Sequence, residues 1–388
     1  MEAIAFLKNF LYESRGRFTP FMQWIGELKD PAVLKADIIA GITVALVLIP
    51  QSMAYAQLAG LPPYYGLYAS FLPGMVAAIF GSSRQLATGP VAVVSLLTAS
   101  ALEPIASAGS ESYLAYAIIL ALFVGVFQLL LGLLKLGVLV NFLSHPVVIG
   151  FTNAAAIIIA TSQISKIFGV TVEKAPHHYE TVWRILEAAV DRTHMPTLAM
   201  GILSLAILIV FKRFLPKWPN VLIAVAVATI ISWFFDFQAK GGAVIGSIPD
   251  GLPGFSLPDA KWSEISGLMG TAIAIGLIGF MEAISIAKAM AARTQQKLDP
   301  NQELVGQGIS NLVSGVFQGY AVSGSFSRSA VNINAGAMTG FSSIVTGTVV
   351  GITLLWLTPL LFHLPQATLA SVIVMAVANL VKIEPIKY

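Results

Sequence analysis

Cysteine is absent from the 388 residues, so disulfides, thiolate chemistry and cysteine-based metal sites are excluded. Charge is scarce as well: Asp, Glu, Lys and Arg make up 11% of the chain, against about 25% in a typical soluble domain. There is no dense basic run of the kind that holds nucleic acid. None of the five histidines has a partner at metal-ligand spacing: His177 and His178 share an outer loop, His145 precedes Pro146 at the start of a span, and His194 and His363 lie at span ends. The glycine-rich stretches follow no strand pattern and so form no dinucleotide fingerprint. No nucleophile–base pair stands out, which argues against an enzyme, and no cofactor is implied.

What the chain has is apolar mass. The hydrophobic fraction is 56%, with 33 glycines and 20 prolines, both commoner in membrane helices than in soluble ones. So little polar surface cannot cover one water-soluble core, and the bilayer must act as solvent for most of the length. A crossing helix needs about 20 mostly apolar residues. Twelve hydrophobic segments meet or approach that pattern, at 37–60, 62–80, 88–106, 112–136, 141–167, 196–214, 219–236, 266–291, 302–320, 326–338, 340–363 and 365–383. Residues 1–36 carry mixed charge around Phe6, Leu7, Phe10, Leu11, Phe18, Phe21, Met22, Trp24 and Ile25, and read as an interface-hugging cytosolic segment, not a cleavable signal. With that end in the cytosol, 15 of the 22 Lys and Arg residues fall on inner segments and 6 on outer ones, the last being Arg328 within a span. The positive-inside rule therefore supports a multi-pass protein of the cell membrane with a cytosolic N-terminus.

Two segments break the pattern. Gly81-Ser82-Ser83-Arg84-Gln85-Leu86-Ala87-Thr88-Gly89-Pro90 is polar and glycine-rich, and a short apolar helix from Val91 follows at once. Gly319 to Arg328 is small and polar, again with a short helix after it. Irregular backbone at membrane depth is tolerated only where it is buried in protein or lines a cavity. The first break is the third span after Asp37, and the second is the third of a new set starting near Leu268. Interrupted segments at matching places of two halves point to a transporter's binding site. An odd number of spans per half makes the second copy inverted.

Helix starts expose unpaired N–H groups and about half a positive charge, so two of them facing each other suit a small anion without a metal. Ser323, Ser325, Ser327 and Ser329 add hydroxyls, and Arg328 adds a permanent cation whose fork fits oxyanions. Two readings of Arg328 stand: a place beside the anion path, or pairing with an acid and capping of carbonyls. Pro50 weakens the first span, and Gln51 and Tyr55, four apart, share one face. That face either completes the pocket or is a kinked packing surface. Glu282 reads as the only acid inside an apolar span. A carboxylate there needs a proton or a cation, which makes it either a proton carrier or a fixed counter-ion to Arg328 or Lys288.

Several motifs together carry a family resemblance. Pro63-Tyr64-Tyr65-Gly66-Leu67-Tyr68-Ala69-Ser70 followed by Gly81-Ser82-Ser83-Arg84, Thr88-Gly89-Pro90-Val91-Ala92-Val93-Val94-Ser95-Leu96, Asn301-Gln302-Glu303-Leu304-Val305-Gly306-Gln307-Gly308, and Gly324-Ser325-Phe326-Ser327-Arg328-Ser329-Ala330-Val331-Asn332 with Ala335-Gly336-Ala337 resemble the sulfate permease (SulP) family, also called solute carrier family 26. The likeness runs from about Asp37 to the last residue. It implies an all-α polytopic membrane protein of two inverted seven-helix repeats, with short strands and half-helices at spans 3 and 10. It also implies a core domain (37–138 and 266–364), a gate domain (139–236 and 365–388), and an outer loop at 237–265. The chain departs from the family pattern in ending at Tyr388: spans 13 and 14 and the STAS domain usual in the family fall outside it, and the gate is incomplete. The implied activity is secondary transport of a small inorganic anion, sulfate first, by proton symport with an elevator motion, in a homodimer embedded in lipid. Bicarbonate, chloride exchange, a C4-dicarboxylate, and a non-transporting scaffold or sensor are the alternatives. Carried over residue by residue, the site comprises Gln51, Tyr55, Thr88, Gly89, Val91, Ala92, Ser285, Ser325, Ser327 and Arg328, with Glu282 as proton carrier.

Overall fold

The computed structural model describes residues 20–138, 145–173, 175, 177–215, 218–258 and 266–378. The interface reading of Phe6 to Phe18 and the end of the segment 365–388 lie outside these residues. In chain order the longer elements are α1 (Pro31–Leu58), α2 (Tyr64–Phe80), β1 (Ala87–Gly89), α3 (Ala92–Leu102), α4 (Glu111–Leu133), α5 (His145–Ser162), α6 (Ile164–Phe168), α7 (His178–Arg192), α8 (Met195–Phe214), α9 (Asn220–Phe234), α10 (Leu268–Thr294), α11 (Pro300–Val316), β2 (Ser323–Ser325), α12 (Phe326–Asn334), α13 (Phe341–Ile352) and α14 (Gln366–Ala378). Among the described residues, α1, α4, α8, α10 and α13 with its continuation to Leu361 are long and apolar enough to cross a bilayer. The fold is all-α and polytopic, and among the described residues it holds one buried two-stranded sheet.

Local chemistry sets the helix starts. Asp30 accepts from the Ala32 N–H at 2.9 Å and Pro31 takes the first helical position, so α1 begins before Asp37. Asp37 instead sits fully buried inside α1. Its carboxylate accepts from the N–H groups of Met338 (2.7 Å) and Thr339 (3.1 Å) and from the Thr339 hydroxyl, tying α1 to the loop ahead of α13. Ser110 caps α4, and Asp299 caps α11 with Pro300 behind it.

Helices α1, α2, α4, α10, α11 and α13 form one packed group, while α14 packs with α5, α6, α8 and α9 and also touches α1. Small residues let the first group close up. A Cβ at Gly125 of α4 would lie 2.7 Å from the Leu312 nitrogen, and one at Gly308 of α11 would lie 2.5 Å from the Leu129 nitrogen. Backbone-to-backbone approach of this kind is how membrane helices pack without a hydrophobic driving force between them.

Two sequence expectations change. Glu282 is not the only acid within the packed spans: Glu303 on α11 is 1% exposed. The segment after α6 also holds a helix, α7, that the span count passes over. Its Tyr179, Trp183, Leu186 and Val190 form an exposed stripe at helical spacing.

Candidate functional site

The two broken segments meet. β1 pairs antiparallel with β2, placing Ala87 opposite Ser325, Thr88 opposite Gly324 and Gly89 opposite Ser323. The pairing satisfies backbone groups that lipid could not, and it brings the starts of α3 and α12 together. These starts differ. Ser325 caps α12, its Oγ accepting from the Arg328 N–H at 3.5 Å. Val91, at the start of α3, offers no side-chain cap, although Ala92, Val93 and Val94 are all buried. A buried helix start without a cap holds donors that want a ligand.

Arg328 is 0% exposed, yet among the described residues its Nε, Nη1 and Nη2 have no hydrogen-bond partner and it forms no ion pair. A buried cation in this condition is costly unless an anion joins it. Tyr55, Tyr320 and Glu282 are the titratable groups near it. Glu282 does not pair with Arg328 or Lys288, and its Oε2 is buried without a partner. Gln51 Oε1 and Asn332 Oδ1 are buried in the same state. Gly89 stands against the guanidinium: a Cβ there would lie 3.4 Å from Arg328 Nη2 and 3.7 Å from Leu48 Cδ1.

The expected residues fall into three groups. Gly89, Val91, Ala92, Ser325 and Arg328 are buried at or beside the crossing, and Gln51 and Tyr55, both 5% exposed, are buried on α1. Thr88 belongs to β1, but its hydroxyl accepts from Gln307 Nε2 of α11 at 2.9 Å. Successive strand side chains alternate, so this hydroxyl and the Gly89 position facing Arg328 lie on opposite faces. Ser285 and Ser327 are exposed; Ser285 Oγ donates to the Met281 carbonyl at 2.7 Å, and Ser327 Oγ lies 3.4 Å from Ser325 Oγ. Neither bonds Arg328.

Tyr320 was not expected here. It is fully buried just ahead of β2, with its hydroxyl 3.0 Å from Ser95 Oγ of α3. A tyrosine inside the glycine-rich break was the available signal. A cavity of about 10 Å³ lies beside Arg328, between Val44, Leu48, Thr88, Ser343 and Thr346. That is room for about one water, not for an oxyanion. A roomier cleft of about 600 Å³, lined by Arg84, Lys135, Lys297 and Asp299, contains none of the expected site residues.

Residues 34–388 match the model of the sulfate permease family. The chain is 43% identical over 371 residues to "Sulfate transporter 4.1, chloroplastic" of Arabidopsis thaliana, covering 93% of this chain and 53% of that protein. It is similar to the solved structure of SLC26A9, with a TM-score of 0.90 and 25% identity over 98% of this chain and 62% of that one. It also resembles the transmembrane domain of the cyanobacterial bicarbonate transporter BicA, with a TM-score of 0.82 and 25% identity over 91% of each chain. The chain spans about half the length of the curated relatives it matches. With its paired half-helices and the match over 34–388, this chain belongs to the sulfate permease family.

Proposed function

We propose that these residues form the anion-carrying membrane part of a secondary transporter, with sulfate as first substrate. One observation carries the reading: the fully buried Arg328 guanidinium has no partner among the described residues and stands where two helix starts meet. The uncapped start of α3 supplies N–H donors, Arg328 supplies charge, and Ser325 supplies a hydroxyl beside it. The relatives named as sulfate transporters favour sulfate, and the likeness to BicA keeps bicarbonate as the second reading.

Glu282 is the coupling group in this reading. It is an acid near Arg328 that forms no ion pair with it and keeps a buried, unpartnered Oε2. An anion entering with its proton on Glu282 adds less net charge to the apolar interior than the anion alone. The cavity beside Arg328 has room for about one water, and in this reading loading parts the surrounding helices. An elevator-type displacement of the group containing α1–α4 and α10–α13 against α5–α9 and α14 meets that need. A homodimer and a cytosolic N-terminus complete the proposal, the latter on the bias of basic residues.

The test is uptake of labelled sulfate by the full-length protein in proteoliposomes, with and without an inward proton gradient. Saturable uptake that the gradient stimulates supports the reading. Absence of both flux and saturable anion binding overturns it. Competition by bicarbonate, chloride and fumarate ranks the substrates.

A further inference from the structure

The motif from Asn301 to Gly308 marks the family but has no task in the mechanism above. The structure gives α11 one. Glu303, Gln307, Asn311 and Ser314 recur along a single face of α11, and all four are buried. Each holds a different part of the two broken segments. Glu303 Oε2 accepts from the Ser82 and Ser83 N–H groups at 3.0 and 2.9 Å, fixing the loop that leads into β1. Gln307 Nε2 donates to Thr88 Oγ1 of β1 at 2.9 Å. Asn311 pairs with the Val322 backbone in both directions at the entrance to β2: Oδ1 accepts from the N–H at 2.8 Å, and Nδ2 donates to the carbonyl at 3.1 Å. Ser314 Oγ donates to the Tyr320 carbonyl at 2.6 Å.

The two helix starts therefore do not rest only on three residue pairs of β ladder. A rigid helix grips both strands by side chains four residues apart, and its pitch sets where one strand lies along the other. We infer that Gln307 and Asn311 are positioning residues of the anion site, acting through Thr88 of β1 and Val322 of β2 to hold the α3 start and Arg328 at the spacing an anion bridges. In this inference they act through the strands and not on the anion: Gln307 bonds Thr88 and does not bond Arg328. Preorganised donors lose much of their value when their spacing loosens. This inference rests on the anion site proposed above.

The test is a set of sulfate titrations on purified full-length protein, each paired with a thermal midpoint. Gln307→Met, Thr88→Val and the double variant form one cycle. Ser310→Ala is the control. Ser310 lies on the same helix and donates to the Pro73 carbonyl at 2.7 Å, so it cuts a comparable buried bond without touching either strand. Expected are a Kd raised about tenfold by Gln307→Met, a similar rise for Thr88→Val, and a double variant no weaker than either, the scale of one net hydrogen bond. Ser310→Ala lowers the thermal midpoint and leaves Kd within about twofold, the spread of an uncoupled site. Asn311→Asp is the second handle. It keeps the acceptor for the Val322 N–H but loses the donor that Asn311 Nδ2 gives to the Val322 carbonyl, Gln128 Oε1 and the Gln307 carbonyl, and it also weakens sulfate. Kd values within about twofold of wild type in the folded variants overturn the inference, as does additivity in the cycle. If Gln307→Met does not fold, the Thr88→Val and Asn311→Asp titrations decide alone. Wild-type protein that binds no sulfate instead overturns the anion site itself, a separate outcome.

Discussion

Replacing Arg328 by methionine has opposite consequences for binding and for stability. The two side chains have similar length, so the fully buried site stays filled. What disappears is a cation with three nitrogens that no protein group bonds. Burying a charge without a partner carries an effective penalty of several kcal/mol. Removing it therefore leaves the empty protein as stable as wild type or more so, with an unchanged or higher thermal midpoint. Binding moves the other way. A hydrogen bond to a charged group contributes about 1.5–3 kcal/mol, and the fork offers two to an oxyanion. Loss of both, about 3–6 kcal/mol, weakens sulfate by a factor on the order of 10² to 10⁴. Differential scanning fluorimetry in detergent reads the first effect and an equilibrium titration the second. A midpoint several degrees below wild type together with unchanged sulfate affinity would refute the assignment and make Arg328 a structural group.

Three further outcomes follow from the geometry. Gly89→Ala sets a methyl carbon 3.4 Å from Arg328 Nη2, an ordinary contact distance; the expected result is weaker sulfate binding, by about tenfold if one charge-assisted bond is blocked, with little change in melting. Glu282→Gln keeps the shape and removes the titratable oxygen. Stimulation of uptake by an inward proton gradient disappears while sulfate binding persists, and retained stimulation rejects the coupling role. Glu303→Gln keeps one oxygen for the Ser82 and Ser83 N–H groups but turns the second into a donor facing Gln307 Nε2; a buried polar clash of this kind costs about 1–3 kcal/mol, read as a lower thermal midpoint, and an unshifted midpoint counts against the α11 clamp.

The spans were legible because lipid imposes a simple rule on composition. All twelve segments contain a helix or half-helix, at their expected places in the chain. The two breaks were legible for the converse reason: a run such as Gly81 to Pro90 has no business in lipid unless protein surrounds it. What the sequence concealed is directional. Thr88 and Gly89 are neighbours, yet strand alternation sends one toward Gln307 and sets the other against Arg328. Ser285 follows Glu282 by three residues, but its hydroxyl is occupied on its own helix. The α11 clamp links partners such as Glu303 and Ser83 that lie 220 residues apart, and no local pattern announces such a pair. Helix α7 was passed over because its stripe at Tyr179, Trp183, Leu186 and Val190 is interleaved with charge and is not a continuous apolar run.

The anion site is tested most directly by locating an anion in it. Crystals of the full-length protein grown in selenate, an oxyanion isosteric with sulfate, permit an anomalous difference map at the selenium edge. The expected result is a peak within hydrogen-bonding distance of the Arg328 guanidinium, between the α3 start at Ala92 and the Ser325 cap of α12. A map with no peak there, at selenate concentrations that saturate binding in solution, contradicts the assignment.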